Sequence, residues 1–378
     1  MAGDRKYYTI PLCLTHRCNL NCIYCFEKHD ADHEMTFDTA IKCIKEVCNN
    51  VEKNATIEFI FFGGEPLLRY DLIQHGVDYV SNLNVTQKCR FFASTNGALL
   101  TEEMKLWFLK NREKVVLGLS LDGTRKSHNY NRSNSYDKID IAFFKDTWPS
   151  QNVKMTVSKH TLKSYADDVI FLHSLGFGIN GGDICLGNST WQNKDLLQEF
   201  GKQLMRLVDY YSGCEDPPYN ALLDIDIASC ASKTKTKVKP CGVGDKLYFF
   251  DTDGTKFPCT FITPMTFGND DLGKIRDIDF KDVDQFTDVD CYTSCYLYPI
   301  CKRCPAENYL HNHSFKLWNK EKCAFTEVLA LAVSDIEARK ILKNPSVYDD
   351  TKLYYTIEGI KIIRELYQKK YNDIIRLQ

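Results

Sequence analysis

The sequence pattern most able to do chemistry is a group of three cysteines, Cys18, Cys22 and Cys25, at C-x3-C-x2-C spacing. They follow an apolar run over 7–14 that predicts a β-strand. Three thiolates on one loop can bind three irons of a cubane iron–sulfur cluster and leave the fourth iron without a protein ligand. An open metal position is typical of a catalytic site. Buried free thiols are the alternative, but packing is a poor reason for three cysteines so close together.

A second feature, Gly63-Gly64-Glu65-Pro66, follows the apolar run 57–62, which predicts another strand. Two glycines at a strand's carboxyl end let the backbone approach a ligand closely. Pro66 suits the start of a helix, and we expect that helix to continue from Leu67. An ordinary strand-to-helix turn is the alternative interpretation.

Polar residues also follow the next two predicted strands, 90–93 and 115–119. The carboxyl ends of parallel strands in a β/α barrel face one mouth, where active sites lie. We therefore expect these residues to lie near one another, although plain turn chemistry would also explain them. The candidates are Ser94, Asn96, Ser120 and, further along the chain, Arg132.

Strands and helices alternate through the first part of the chain. Further strands are expected at 153–158 and 182–186, and further helices at 162–175 and 194–211. This gives six strand–helix units by about residue 212. Right-handed crossovers make a parallel α/β arrangement the default. The predicted fold class is therefore α/β, with a partial (β/α)6 TIM-type barrel whose side is open to a large substrate.

A second set of cysteines lies beyond a Gly/Pro-containing linker near residue 213. Cys241 and Cys259 flank a predicted β-hairpin with an Asp253-Gly254 turn. Five more cysteines follow, which are Cys291, Cys295, Cys301, Cys304 and Cys323. A zinc ribbon is an alternative explanation for such a set. The basic run 233–239 just before it is expected to be a solvated loop, with a peptide-binding patch as the alternative.

The cysteine loop, with Tyr24 before its last cysteine, resembles the signature of the radical S-adenosylmethionine (radical SAM) enzymes, and Gly63-Gly64-Glu65 resembles their "GGE" motif. The resemblance implies a [4Fe–4S] cluster on Cys18, Cys22 and Cys25 with SAM bound at its open iron. In that family the GGE motif holds the methionine amino group, and the strand ends hold the ribose and the methionine carboxylate. The residues so implied to bind the cofactor are Tyr24, Gly63, Gly64, Glu65, Ser94, Asn96, Ser120 and Arg132.

The second set resembles the SPASM domain, a carboxyl-terminal extension of many radical SAM enzymes that holds two auxiliary [4Fe–4S] clusters. The resemblance implies a first auxiliary cluster on Cys241, Cys259 and Cys304, and a second on Cys291, Cys295, Cys301 and Cys323. The spacing departs from the family's, with x3, x5, x2 in place of x2, x5, x3. The first cluster is one ligand short, so either Cys230 completes it or one iron stays open. An open iron could bind a substrate thiolate and lower its pKa.

The resulting domain prediction is a radical SAM partial barrel over 1–212, an auxiliary-cluster domain over 213–325 and helices over 326–378. The chain has 378 residues and a net charge of −2, which gives nucleic-acid binding no electrostatic support. No apolar run approaches the ~18 residues of a membrane span. The polar start leads directly into a strand, so we expect neither a signal peptide nor an amino-terminal leader-binding domain. The 17 cysteines fit a reducing cytoplasm.

These features predict a peptide maturase that cleaves SAM reductively to a 5′-deoxyadenosyl radical. Its expected partners are a ribosomally made precursor peptide and an electron donor such as flavodoxin or ferredoxin, and its expected product is a cysteine thioether. The alternative is an anaerobic sulfatase-maturating enzyme, which oxidises Cys or Ser to formylglycine. Those enzymes carry Asp directly after the Cys259 equivalent, where this chain has Thr260. A zinc-binding scaffold is the non-enzymatic alternative.

Overall fold

The computed structural model describes residues 6–27, 29, 33–83, 85–187, 189–232, 234–237, 239 and 241–377. The strands are β1 (Tyr7–Thr15), β2 (Thr56–Gly63), β3 (Lys88–Thr95), β4 (Val115–Leu119), β5 (Val153–Ser158), β6 (Ile179–Cys185), β7 (Phe249–Phe250) and β8 (Lys256–Phe257). The α-helices are α1 (Phe37–Asn50), α2 (Tyr70–Ser81), α3 (Glu102–Asn111), α4 (Arg125–Asn131), α5 (Ile141–Thr147), α6 (Tyr165–Ser174), α7 (Lys194–Gly213), α8 (Pro264–Lys274), α9 (Val289–Ser294), α10 (Pro305–Asn312), α11 (Cys323–Lys343) and α12 (Asp350–Ile363).

The chain forms two compact units. The first contains Met1–Leu121, His128–Val153 and Cys241–Asp282, and the second contains the rest. The three-domain division expected from the sequence stays a prediction. None of the helices in the described parts of the chain is both long enough and apolar enough to cross a bilayer.

A parallel sheet forms the centre of the first unit. Its order is β4-β3-β2-β1-β7-β8, and each neighbouring pair from β4 to β7 is parallel. The α/β class and the alternation of strands with helices are confirmed. The predicted hairpin is present as the antiparallel pair β7–β8. The sequence predicts this hairpin as part of the 213–325 domain, but β7 pairs with β1 and extends the central sheet of the first unit.

Aromatic and branched side chains explain why this sheet is buried. Ile57, Phe59 and Phe61 alternate along β2 and are almost completely buried. The ring of Phe91 on β3 stacks against Phe59 and Phe61 of β2, at centroid distances of 5.8 and 5.7 Å. Such cross-strand aromatic contacts favour one register, since a slip of one residue would turn these rings to the other face.

Threonine side chains cap the starts of α1 and α3. The hydroxyl groups of Thr36 and Thr101 accept hydrogen bonds from Thr39 N and Met104 N, at 3.1 and 3.2 Å. Pro66 begins a short 3₁₀ turn, Pro66–Arg69, and the α-helix α2 begins only after it. The helix predicted from Leu67 therefore starts three residues later than expected.

The second unit contains β5 and β6, which form a sheet of their own, and the packed helices α7 and α11. The middle of α11, from Val328 to Ile336, is buried throughout. Trp191, Phe200 and Phe325 form an aromatic cluster beside it, with centroid distances of 4.7–5.0 Å. The apolar residues of this carboxyl-terminal helix therefore form core, as its sequence pattern indicates.

Candidate functional site

The three cysteines of the first unit lie on a loop that leaves the carboxyl end of β1, and we call residues 16–27 the cysteine loop. Cys18 and Cys22 are half-buried and Cys25 is exposed. Cys25 N donates to Cys22 O at 3.0 Å, and Leu20 N donates to Cys18 Sγ at 3.4 Å. Burial raises the pKa of Cys18 to about 11 and also raises the pKa of Cys25. Three soft thiol donors on one accessible loop suit iron, and their binding to a metal would release protons.

Hydrogen bonds hold the cysteine loop against the end of α4 and the residues that follow it. Ile23 N donates to Asn131 O at 3.0 Å, and Asn21 N donates to Ser133 Oγ at 2.9 Å. Ser133 adopts a left-handed conformation with φ 52°. These contacts fix the loop between Cys18 and Cys25, although nothing in the sequence marks residues 131–133 as its support.

Arg132 lies in this supporting segment and is buried, with 7% of its surface exposed. Its guanidinium lies 5.4 Å from the ring centre of Tyr24, within the range of a cation–π contact. Its charge opposes the effect of burial on the pKa values of Cys25 and Glu65. The structure therefore brings Arg132 and Tyr24 together beside the cysteine loop, and their contact with SAM stays a prediction.

The two glycines of the GGE motif pack directly on the backbone of the cysteine loop and of the end of β1. A Cβ on Gly63 would lie 2.1 Å from Thr15 O, and one on Gly64 would lie 2.2 Å from Arg17 O. Gly64 N donates to Thr15 O, and Glu65 N donates to Arg17 O, both at 2.9 Å. The sequence predicts that these glycines allow close approach of a ligand. In the structure, the lack of a side chain at these glycines allows close approach of the chain's own backbone at Thr15 and Arg17.

The Glu65 carboxylate is buried and accepts three hydrogen bonds. Leu67 N and Thr95 Oγ1 donate to Oε1 at 3.1 and 2.7 Å, and Asn96 N donates to Oε2 at 2.8 Å. Burial raises the pKa of Glu65, and the three donors oppose that shift. Glu65 thus joins the GGE turn to the end of β3. Thr95 is a site residue that the sequence argument missed, although it lies between the two candidates of that strand end.

Asn96 connects the end of β3 to the cysteine loop. Its Nδ2 donates to Asn19 Oδ1 at 2.8 Å and lies 3.9 Å from Cys18 Sγ. Ser120, also buried, donates its backbone N–H to Thr95 O at 2.9 Å. Ser94 is half-buried in β3 opposite Gly118. The strand ends that the sequence singles out do meet, as parallel pairing requires.

The second unit brings together four cysteines that the sequence assigns to one auxiliary cluster, Cys291, Cys295, Cys301 and Cys323. Burial raises the pKa of Cys291 and of Cys301 to about 12, and in both cases the thiols of Cys295 and Cys323 add to the shift. The four thiols therefore lie within electrostatic range of one another. Their role as ligands of one cluster stays a prediction.

Cys230 lies beside this second group. It is 4% exposed in the short turn Ile227–Ala231, and burial followed by nearby charges, among them Cys295, raises its pKa to about 12. Cys304 also belongs to the second unit, whereas Cys241 and Cys259 belong to the first. The assignment of these last three cysteines to one cluster stays a prediction.

Part of the basic run before Cys241 is bonded within the second unit. Lys235 Nζ donates to the carbonyl oxygens of Tyr292 and Cys295 at 3.1 and 3.0 Å, and Lys237 pairs with Asp284 at 2.8 Å. Lys235 is therefore bonded to the backbone of the second unit, whereas Lys237 and Asp284 form an exposed pair of the kind expected in a solvated loop. Lys233 and Val238 lie outside the described residues.

A partly buried polar group that the sequence did not predict lies at the base of the cysteine loop. His16 Nδ1 and Glu27 Oε2 are 2.9 Å apart, and His16 Nε2 and Asp251 Oδ1 are 2.8 Å apart. The Sγ of Cys13 lies 3.9–4.0 Å from the two ring nitrogens. Hydrogen bonds to Asp251, Cys13 and Glu27, in that order, raise the pKa of His16 to about 12. Donor atoms of Cys13, His16 and Asp251 lie within 4.8 Å of one another, but both ring nitrogens face carboxylates, so the group is a hydrogen-bonded imidazolium.

Comparison with family models identifies the domain to which this site belongs. Residues 12–143 match the model of the radical SAM superfamily. That range contains the cysteine loop, the GGE motif, the end of β3 and Arg132.

Two curated relatives extend the similarity. The radical SAM cyclopropyl synthase TigE of Paramaledivibacter caminithermalis is 32% identical over 141 residues, which is 33% of this chain and 29% of TigE. The chain thus matches less than a third of that relative's length. A cysteine-type anaerobic sulfatase-maturating enzyme of Clostridium perfringens is 25% identical over 298 residues, covering 70% of this chain and 76% of the relative.

Solved structures share the fold over most of the chain. Native anSMEcpe with bound AdoMet and Cp18Cys peptide has a TM-score of 0.64 at 18% identity, with 91% of this chain and 100% of that chain covered. Streptococcus suis SuiB bound to precursor peptide SuiA has a TM-score of 0.56 at 14% identity, with 83% and 75% covered. At these identities the likeness concerns the fold alone.

Proposed function

Because residues 12–143 form a radical SAM domain, we propose that this chain is a peptide-modifying enzyme that cleaves SAM reductively and forms a cysteine thioether in a ribosomally made precursor peptide. The observation that carries the proposal is the arrangement around the cysteine loop. The GGE turn, the end of β3 and Arg132 all meet the loop that carries the three thiols.

Each part of this arrangement has a role in the proposal. Cys18, Cys22 and Cys25 would bind a [4Fe–4S] cluster, and SAM would bind at its open iron. When bound, the two supply a 5′-deoxyadenosyl radical, which removes a hydrogen atom from an unactivated carbon. The methionine amino group of SAM would contact Gly63, Gly64 and Glu65. The ribose and the methionine carboxylate would contact Ser94, Asn96, Ser120 and Arg132, and Tyr24 would lie beside the cluster.

The positive charge of Arg132, which is buried, favours an anionic cofactor group beside it. Burial gives a charge–charge interaction more strength than it has in water. Glu65 and Thr95 keep the site organised, since the carboxylate accepts three hydrogen bonds from the chain itself. Such preorganisation lowers the cost of ordering the site when SAM arrives.

The second group of cysteines supports a peptide as the substrate class. Cys291, Cys295, Cys301 and Cys323 would hold one auxiliary cluster, and Cys230, which lies near Cys295, would stay with that group. The cluster on Cys241, Cys259 and Cys304 would then keep an open iron, where a peptide thiolate could bind. The relatives SuiB and anSMEcpe were both solved with peptides bound.

The proposed crosslink balances without an added oxidant. The peptide loses one hydrogen atom to the 5′-deoxyadenosyl radical and one proton from its cysteine thiol. An auxiliary cluster or the external carrier would take up the electron that is released as the C–S bond forms. SAM becomes methionine and 5′-deoxyadenosine, and a one-electron donor such as flavodoxin or ferredoxin starts each turnover.

The proposal is tested by mass spectrometry of candidate cysteine-containing peptides after anaerobic incubation with the enzyme, SAM and a reductant. We expect a product two hydrogens lighter than the substrate whose thiol no longer reacts with an alkylating reagent. A disulfide has the same mass loss, so the product must also resist reduction by a thiol. A product whose thiol returns on reduction would contradict the proposal.

A second candidate function is the conversion of a sulfatase Cys or Ser to formylglycine. The similarity to the Clostridium perfringens enzyme over 70% of this chain favours it. Thr260 disfavours it, because a threonine hydroxyl is a much weaker base than the carboxylate found at that position in the sulfatase-maturating family. An aldehyde on a Cys- or Ser-containing sulfatase peptide, trapped with a hydrazide reagent, would establish this function in place of the first.

A further inference from the structure

The hydrogen bonds of His16 close the cysteine loop. His16 is two residues before Cys18, and Glu27 is two residues after Cys25. The contact between His16 Nδ1 and Glu27 Oε2, at 2.9 Å, therefore joins the two ends of the loop that contains all three thiols. It lies at the base of that loop, with 5% of the Glu27 side chain and 15% of the His16 side chain exposed.

The same imidazole also reaches the hairpin. His16 Nε2 contacts Asp251 Oδ1 at 2.8 Å, and Asp251 directly follows β7, the strand that pairs with β1. Asp251 is itself held, since Oδ1 accepts from Thr252 N at 2.7 Å and the backbone N of Asp251 donates to Thr255 O at 2.9 Å. The side chain of His16, which is one end of the cysteine loop, thus binds both the other end of that loop and the turn that follows β7.

We propose that His16 is a positioning residue that closes the cysteine loop through Glu27 and anchors it on the β7–β8 hairpin through Asp251. Two charge-assisted hydrogen bonds from one ring are stronger and more directional than neutral ones. They fix the distance between the residues that flank Cys18 and Cys25, and hence the separation of the thiols. The thiol of Cys13 is fully buried, and its Sγ lies 3.9 Å from Nε2 of the His16 ring.

This role is separate from the peptide chemistry, so the test does not depend on the substrate. The full-length protein is reconstituted with iron and sulfide under anaerobic conditions and reduced. The part of its EPR signal that changes on addition of SAM reports the cluster with an open iron for SAM. Loss of iron to a chelator is followed in parallel on the same samples.

His16→Gln is the main variant, because glutamine can serve one carboxylate but not both and carries no charge. Loss of one charge-assisted hydrogen bond predicts about tenfold faster loss of iron from the SAM-responsive cluster. Asp251→Asn should have a smaller effect in the same direction. The double variant should lose iron no faster than His16→Gln alone, since Asp251 acts through His16.

Lys6→Gln is the control. Lys6 directly precedes β1, outside the cysteine loop, and its pair with Glu52 is largely exposed, so its removal should leave the cluster unchanged. Should His16→Gln prove insoluble, Glu27→Gln carries the test, because it removes only a charge. Iron loss at the wild-type rate in His16→Gln or Glu27→Gln would overturn the proposal. So would strictly multiplicative effects of the His16 and Asp251 substitutions.

Discussion

The substitution Glu65→Gln tests whether the buried carboxylate organises the site. Glu65 is 1% exposed, and its two oxygens accept from Leu67 N, Thr95 Oγ1 and Asn96 N. A glutamine has the same shape but replaces one acceptor oxygen with an NH2 group. Whichever way the amide is placed, that group faces a backbone N–H, of Leu67 in one orientation and of Asn96 in the other.

The expected magnitude follows from that conflict. A buried hydrogen bond to a charged group contributes about 1.5–3 kcal/mol, and a buried donor left without an acceptor costs about as much. A loss of about 2 kcal/mol of local stability corresponds to a roughly thirtyfold larger equilibrium constant for local opening. We therefore expect hydrogen exchange at the amide of either Leu67 or Asn96 to accelerate by that factor in Glu65→Gln.

Hydrogen–deuterium exchange resolved to the peptides that contain Leu67 and Asn96 measures this effect directly. Thr95→Ser is the matched control, because it keeps the hydroxyl group that donates to Glu65 and should leave both amides protected. If both amides stay as protected in Glu65→Gln as in the wild type, the carboxylate does not organise these turns and the reasoning fails.

Three further predictions concern stability. Burial raises the pKa of Asp168 to about 6, so between about pH 4 and 6 the folded state holds a proton that the unfolded state has lost. The free energy of unfolding should therefore fall on the order of 2 kcal/mol as the pH rises from 4 to 7. Denaturant titrations should show this decline in the wild type and not in Asp168→Asn. Asp335 is fully buried and pairs with two arginines at 2.8 and 2.9 Å, so Asp335→Asn should lower the free energy of unfolding by about 3 kcal/mol in the same titration. Gly64→Ala places a Cβ 2.2 Å from Arg17 O and should lower the melting temperature with a cost of about 2 kcal/mol, whereas Gly213→Ala, which meets no atom within 4 Å, should not.

The sequence was sufficient for local structure where chemistry is local. The strands Val115–Leu119 and Val153–Ser158 begin and end where their apolar runs predict. Thr36 and Thr101 cap the helices that follow them, and each cap depends only on a residue three positions away. The hairpin turn at Gly254 was also found, since its Asp-Gly signal is contained within a few residues.

The contacts that complete the site could not be predicted in the same way. Asp251 meets His16 across 235 positions of sequence, and that meeting depends on the pairing of β7 with β1. Thr95 was missed because its role depends on a carboxylate in a different turn. The symmetric placement of His16 and Glu27 about the cysteines was a visible signal, but it has meaning only once the loop is known to close.

The central claim is that Cys18, Cys22 and Cys25 bind the cluster that cleaves SAM, while the second set of cysteines serves the substrate. Its most direct test is the amount of 5′-deoxyadenosine formed from SAM and dithionite under anaerobic conditions by variants with single Cys→Ala substitutions. The account predicts that replacement of Cys18, Cys22 or Cys25 abolishes 5′-deoxyadenosine formation. Replacement of Cys291 or Cys295 should leave measurable cleavage but little modified peptide. Equal loss of 5′-deoxyadenosine from both groups would contradict this division between them.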